Sequence, residues 1–358
     1  MLNSLQACRA IAAIFVVLSH TSGILSLPKY LGAKPFGPAF DFGFVGVDFF
    51  FVLSGFIIMY AHARDIGQPR AFGAYMWKRF SRAYPPYWVV LTLILPVFFL
   101  LPHLGIGHER NPDVIVRSIF LLPHPLEHTV LVVSWTMVYE ILFYLVFGVL
   151  VINKRLGIAV FLGWTAGVLA YPWFENFPWT FVFSPWHLRI LAGVGVAIVL
   201  QRWRVPVPRA VASVGVFLLL ATSMFHAYHG PLVPSILTAG CTLGSALTIL
   251  GLVEIERSTA IPVPRSLVYL GDATYAIYLV HFPALSILAK LAMVAQLDAV
   301  LPGTVLFLLL VVCAIGVGCA SYHLVDHPLH SWSKRFFRRA KPPVVLDVVP
   351  EPTIRKAA

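Results

Sequence analysis

The sequence predicts an all-α, polytopic membrane protein of about ten transmembrane helices with both termini cytoplasmic, and three observations carry that prediction. Of 358 residues, 59% are hydrophobic and only 11% charged, where a soluble domain carries about 25% charge. The apolar residues form continuous runs such as VLTLILPVFFLL (90–101) and VLFLLLVVCAIGVGCA (305–320). A hydrocarbon layer of about 30 Å needs roughly 20 such residues per helix, whereas a transmembrane barrel would alternate over segments of about ten. The third observation is the uneven placement of the 26 Lys and Arg residues. Even-numbered loops and the C-terminal tail hold 19 of them and odd-numbered loops hold 4, which by the positive-inside rule puts both ends in the cytoplasm. The net charge of +11 therefore reads as membrane orientation, and no nucleic-acid partner is expected.

The spans fall at 6–25, 43–61, 84–102, 130–152, 157–171, 186–201, 210–228, 232–253, 267–290 and 303–325. No basic residue precedes Arg9 and no small-x-small cleavage site follows the first apolar stretch, so the first span is a retained helix rather than a removed signal. It contains Arg9 and His20, eleven residues apart, which is about three turns and roughly 16 Å on one helix face. Such a pair is either a snorkelling anchor and a helix-end histidine, or two ends of one ligand-binding face. In the second span, Asp48 interrupts the run GFVGVDFFFVLSGFIIMY (43–60); it caps the helix or holds His20 in one tautomer. Ser54-Gly55 allows close helix approach.

The third span is preceded by MWKRFSRAYPPYW (76–88), a cluster of Lys78, Arg79 and Arg82 next to aromatic residues. It is a lipid anchor or, with Arg79 and Arg82 three apart on a helix, a grip for a phosphate group. The loop that follows contains His108-x4-Asp113, a spacing known from soluble glycerolipid acyltransferases but expected by chance and placed outside. The fourth span, SWTMVYEILFY (134–144), buries Glu140 beneath Trp135 and beside Tyr144, as a functional carboxylate or as polar glue between helices. The fifth to eighth spans rest on apolar length. The ninth sets Tyr275, Tyr278 and His281 toward one face, lining an acceptor site or packed and hydrogen-bonded. The four cysteines lack metal or disulfide spacing, and no metal is expected. Residues 1–333 form one membrane domain, and 334–358 a basic tail expected to lie near anionic headgroups and then fray.

Taken in order, LQACRAIAAIFVVLSH with its Arg-x10-His, GFVGVDFFFVLSGFII, KRFSRAYPPYW, SWTMVYEILFY, YLGDATYAIYLVH (269–281) and YHLVDHP (322–328) resemble the membrane-bound acyltransferase family three. That family includes bacterial enzymes that acylate exopolysaccharides, lipopolysaccharide and related glycans. Two positions depart from its pattern: Asp326-His327 stands where a Glu-Arg pair is usual, and Arg189 where an acidic residue is common.

The resemblance implies an O-acyltransferase of the bacterial inner (cytoplasmic) membrane. Acetyl-CoA, or another acyl-CoA, would be a donor substrate and not a permanently bound cofactor; the acceptor would be a glycan or lipid-linked oligosaccharide. His20 would be the general base, since an imidazole of pKa about 6.5 accepts a proton near neutrality. Arg9, Asp48 and Glu140 would complete the catalytic set. Lys78, Arg79, Arg82, Trp135 and Tyr144 would hold the donor, and Tyr275, Tyr278 and His281 the acceptor. The alternative is a proton-coupled transporter or glycan flippase, which would also bury Arg, Asp, Glu and His in its spans.

Overall fold

The structure, a computed structural model, describes residues 2–338. Among the described residues no strand forms. The chain runs through α1 (Asn3–Leu25), α2 (Val45–His62) and α3 (Phe72–Leu100), then a short α4 (Pro112–Phe120). A hairpin of α5 (Trp135–Ile152) and α6 (Lys154–Leu169) leads through the one-turn α7 (Trp179–Val182) into α8 (Trp186–Arg202). The helices α9 (Pro208–His229) and α10 (Pro234–Ser258) pack as a pair. They are followed by α11 (Arg265–Val294), the one-turn α12 (Leu297–Val300) and α13 (Gly303–Ser321). A π-turn at Tyr322–Asp326 joins α13 to α14 (His327–Arg338). The expected basic tail is helical as far as Arg338, and 339–358 lie outside the described residues.

Among the described residues, nine helices are long and apolar enough to cross a membrane. The span expected at 157–171 is present as α6, but its 16 residues rise only about 24 Å at 1.5 Å each, less than the apolar layer. The third span begins at Phe72 rather than 84, so the basic and aromatic cluster lies inside a continuous helix that tolerates Pro85 and Pro86. Turn chemistry fixes several starts. Pro112, Pro208 and Pro234 open their helices with φ already set, and the Asn153 side chain accepts the N–H groups of Arg155 and Leu156 at 3.0 and 3.1 Å.

Lipid offers apolar helices no hydrophobic reason to associate, so close packing must hold them. A Cβ at Gly55 would collide with the Ile190 carbonyl, and one at Gly193 with the Val52 carbonyl; α2 and α8 thus meet backbone to backbone. In the same way α1 lies against α11, where Gly271 touches the Gln6 carbonyl, and against α2, where Gly46 touches Ala12. One apolar cluster joins α2, α5 and α8, and a second joins α1, α11 and α13.

The aromatics of α3 have protein partners. Tyr87, Trp88 and Tyr84 donate to the carbonyls of Ser118 (2.7 Å), Ile119 (2.8 Å) and Phe120 (3.0 Å), the last carbonyls of α4, which lie beyond the reach of the regular i+4 ladder; Ser118 also accepts from Leu121 N–H at 3.2 Å. Their polar tips therefore hold a segment that folds back onto α3, and Tyr87, which is fully buried, is corrected from a lipid-interface anchor to a packing residue.

Candidate active site

Helix α1 carries the site at two levels. At the upper level, His20 Nδ1 and His281 Nε2 on α11 are 2.8 Å apart. The ring planes lie within 14° of each other with centroids 5.0 Å apart, so the imidazoles meet edge to edge, as an in-plane hydrogen bond requires. The Phe282 ring lies nearly perpendicular to that of His20, with centroids 5.3 Å apart. His281 is wholly buried, whereas His20 is only partly so. His281 therefore stands behind His20 and does not line an acceptor surface. Tyr278 is held by Thr136 Oγ1 (2.8 Å) and the Val133 carbonyl (3.0 Å). Tyr275 donates to the Ala83 carbonyl at 2.5 Å, in the turn that Pro85 and Pro86 disturb. Both phenolic hydroxyls are thus engaged by protein atoms, while both residues remain partly exposed.

At the lower level lies a charged cluster. Arg9 donates to Gln6 Oε1 at 2.8 Å, and Gln6 in turn donates to Asp272. Arg9 is within electrostatic reach of Arg82, Asp272, Asp326 and Glu140. Arg82 faces both oxygens of Asp326 at 3.3 and 3.4 Å and lies over the Tyr275 ring at 5.1 Å. The π-turn positions Asp326: one extra residue in the helical repeat is accompanied by a carboxylate that is 1% exposed. Glu140 accepts from Ser54 Oγ and interacts with Tyr144.

Arg79 is oriented from behind. Its Nη2 is 3.1 Å from His62 Nε2, and His62 Nδ1 is 2.6 Å from Asp65. Since Arg only donates, His62 accepts on Nε2 and gives its Nδ1 hydrogen to Asp65. Lys78 is exposed on the same helix. Trp135 packs among Phe51, Tyr139 and Trp186.

Asp48 is not beside His20. It pairs with Arg189 on α8, and both are buried, at 1% and 5% exposure; Arg189 also stacks on Trp186 at 4.1 Å. The expectation that Asp48 orients His20 is therefore corrected: each member of the pair is the other's counter-ion, and it is a ring nitrogen of His281 that meets His20. The pairing also accounts for Arg189 standing where an acidic residue was expected. His108 and Asp113 do not meet either. Asp113 is bound by Arg117 at 2.8 Å, and His108 stacks on His128 with centroids 4.1 Å apart.

Sequence reasoning missed His62, Asp65, Gln6 and Asp272. Gln6 is one turn from Arg9, and that spacing was a usable signal; the others are joined to the site only by tertiary contacts.

A family model described as an acyltransferase domain matches residues 2–323. The chain is 30% identical over 317 residues to the exopolysaccharide production protein ExoZ of Rhizobium meliloti (strain 1021), covering 83% of this chain and 92% of that protein. It is also 30% identical over 103 residues to protein 2 in the picA locus of Rhizobium radiobacter, 28% of this chain and 48% of that one. No solved structure matches.

Proposed function

The chain belongs to the membrane-bound acyltransferase family three, and we propose that it moves an acyl group, acetyl in the simplest case, from coenzyme A thioester to a sugar hydroxyl of an exported polysaccharide. The observation that carries this reading is the two-level arrangement on α1. An imidazole pair and a guanidinium cluster separated by roughly 16 Å along the axis cannot act on one atom. They suit the two ends of one long substrate. Coenzyme A has phosphates at one end and a thioester at the other, joined by an extended arm.

In this reading Arg9 and Arg82, with Arg79 beside them, take the phosphates through charge-assisted hydrogen bonds, and the thioester reaches His20. His20 accepts the hydroxyl proton as the oxygen attacks the thioester carbon. The C–O bond forms, the C–S bond breaks, and the departing thiolate takes the proton from His20. The products are an ester and free coenzyme A, and His20 is returned unchanged. The printed role of the relative in exopolysaccharide production supports a polysaccharide acceptor. The loop charge asymmetry supports a cytoplasmic donor end, which in a bacterium means the inner membrane.

Purified protein in lipid nanodiscs, given acyl-labelled acetyl-CoA and de-esterified polysaccharide, is expected to transfer label to the polysaccharide. The His20→Ala variant should insert normally and transfer none. A proton-coupled carrier or flippase would show neither thioester hydrolysis nor transfer, and that result would overturn the proposal.

A further inference from the structure

Resting on His20 as the base, we propose that His281 is a positioning residue that fixes the tautomer of His20 and so makes Nε2 its reacting atom. The reasoning begins at the far side of His281. Its Nδ1 is 2.7 Å from the Tyr278 carbonyl and 3.1 Å from the Ile277 carbonyl. Carbonyl oxygens only accept, so a hydrogen sits on that nitrogen. A neutral ring protonated there has its lone pair on Nε2, and this Nε2 lies 2.8 Å from His20 Nδ1.

His20 must then carry its own hydrogen on Nδ1 and donate it. The opposite tautomer would set two lone pairs face to face across 2.8 Å. The lone pair of His20 is left on Nε2, to which no hydrogen bond is formed among the described residues. Backbone carbonyls of α11 thus dictate, through two rings, which nitrogen of His20 is basic. The helix continues through Pro283 just beyond, which has no N–H to give to the preceding turn.

A second imidazole suits this position better than a carboxylate would. A neutral partner adds no charge to an apolar span, yet its Nε2 can still accept from the imidazolium that forms transiently when His20 takes the hydroxyl proton. His281 keeps its own Nδ1 hydrogen throughout, so no proton is lost or gained by the pair over a turnover. Tyr278 packs beside the pair, its ring centroid 5.7 Å from that of His281.

The primary test is made on the wild-type protein and so does not depend on a variant folding. With histidine labelled at both ring nitrogens and the His20 signals assigned by their loss in His20→Ala, nitrogen NMR near pH 7 should report Nδ1 of His20 protonated and Nε2 unprotonated. A His20 protonated on Nε2 overturns the proposal. Kinetics provide the second arm. His281→Leu should lower kcat by roughly a hundredfold, the low end of what general base catalysis contributes, with KM for acetyl-CoA unchanged. His281→Gln, whose amide oxygen can accept from His20 Nδ1, should recover most of that loss. A folded His281→Leu protein with wild-type kcat refutes the role of His281 alone if His20→Ala is inactive. Full activity in His20→Ala instead removes the base assignment on which the proposal stands.

Discussion

Substituting Arg82 tests the donor end most directly, provided that stability and binding are separated. Its guanidinium lies 3.3 and 3.4 Å from the oxygens of Asp326, a carboxylate that is 1% exposed. Arg82→Ala therefore strands a buried charge, which costs about 3–5 kcal/mol. Arg9 is within reach of the same carboxylate and brings the expected loss to the lower end, about 3 kcal/mol. Losing a charge-assisted contact to a donor phosphate costs a further 1.5–3 kcal/mol or so in binding, roughly ten- to hundredfold in Kd. The double variant Arg82→Ala/Asp326→Asn separates the two, because neutral Asn removes the stranded charge. Its Tm should return most of the way to wild type, while its affinity for coenzyme A, measured by calorimetry in detergent, stays ten- to hundredfold weaker. A double variant that binds coenzyme A as wild type does would reduce Arg82 to the counter-ion of Asp326 and refute the donor end as proposed.

Four further outcomes follow from the geometry. Asp48→Asn should destabilise the protein by about 3–5 kcal/mol by stranding Arg189, while Asp48→Leu/Arg189→Met should melt near wild type and retain transfer; equal destabilisation of both variants would contradict the counter-ion role. Gly193→Leu should prevent α2 and α8 from meeting and abolish a monodisperse peak in size-exclusion chromatography, whereas the same change at Gly195, with open space around it, should be tolerated. Cysteines introduced at Gln68 and Val205 should label from the cytoplasm alone, and those at Ala33, His108 and Asp298 from outside alone; the reverse pattern would place the guanidinium cluster away from coenzyme A. Burial pushes the Glu109 carboxyl up, but the N–H groups it accepts, from Ile106 and Gly107 among others, outweigh this and hold it below the usual carboxylate range. Its stabilisation is therefore present above the unfolded pKa and is lost as pH falls through the folded one, so hydrogen exchange at those two amides, corrected for intrinsic rate, should quicken over that acid window and not above it.

The membrane class, nearly all the spans and the Arg9–His20 face were legible because hydropathy and helical repeat are local properties. Pairings across the bundle were not. Asp48 looked like a partner for His20 because both lie in neighbouring apolar spans, but its side chain turns to α8, and nothing in either segment specifies that rotation. His281 was visible as a histidine at the end of an apolar run; its place behind His20 depends on how α1 and α11 cross at Gly271. The start of α3 was set too late because Lys78, Arg79 and Arg82 read as the edge of a span. They lie within one long helix, where Asp326 and His62 supply partners from 244 and 17 residues away.

The shortness of α6 has a consequence for the lipid around it. Leu156, Leu162 and Leu169 are 56%, 67% and 69% exposed, so the helix meets acyl chains along its length, yet it is about 6 Å shorter than a 30 Å apolar layer. Hydrophobic mismatch of this kind is relieved by local thinning of the bilayer or by snorkelling of flanking charges, at a fraction of a kcal/mol per Å. Lys154 and Arg155 stand at one end to do the second. The other end, near Tyr171 and Trp173, leaves the first as the remaining course. A helix of this length is accommodated at least cost where the lipid beside it is short-chained.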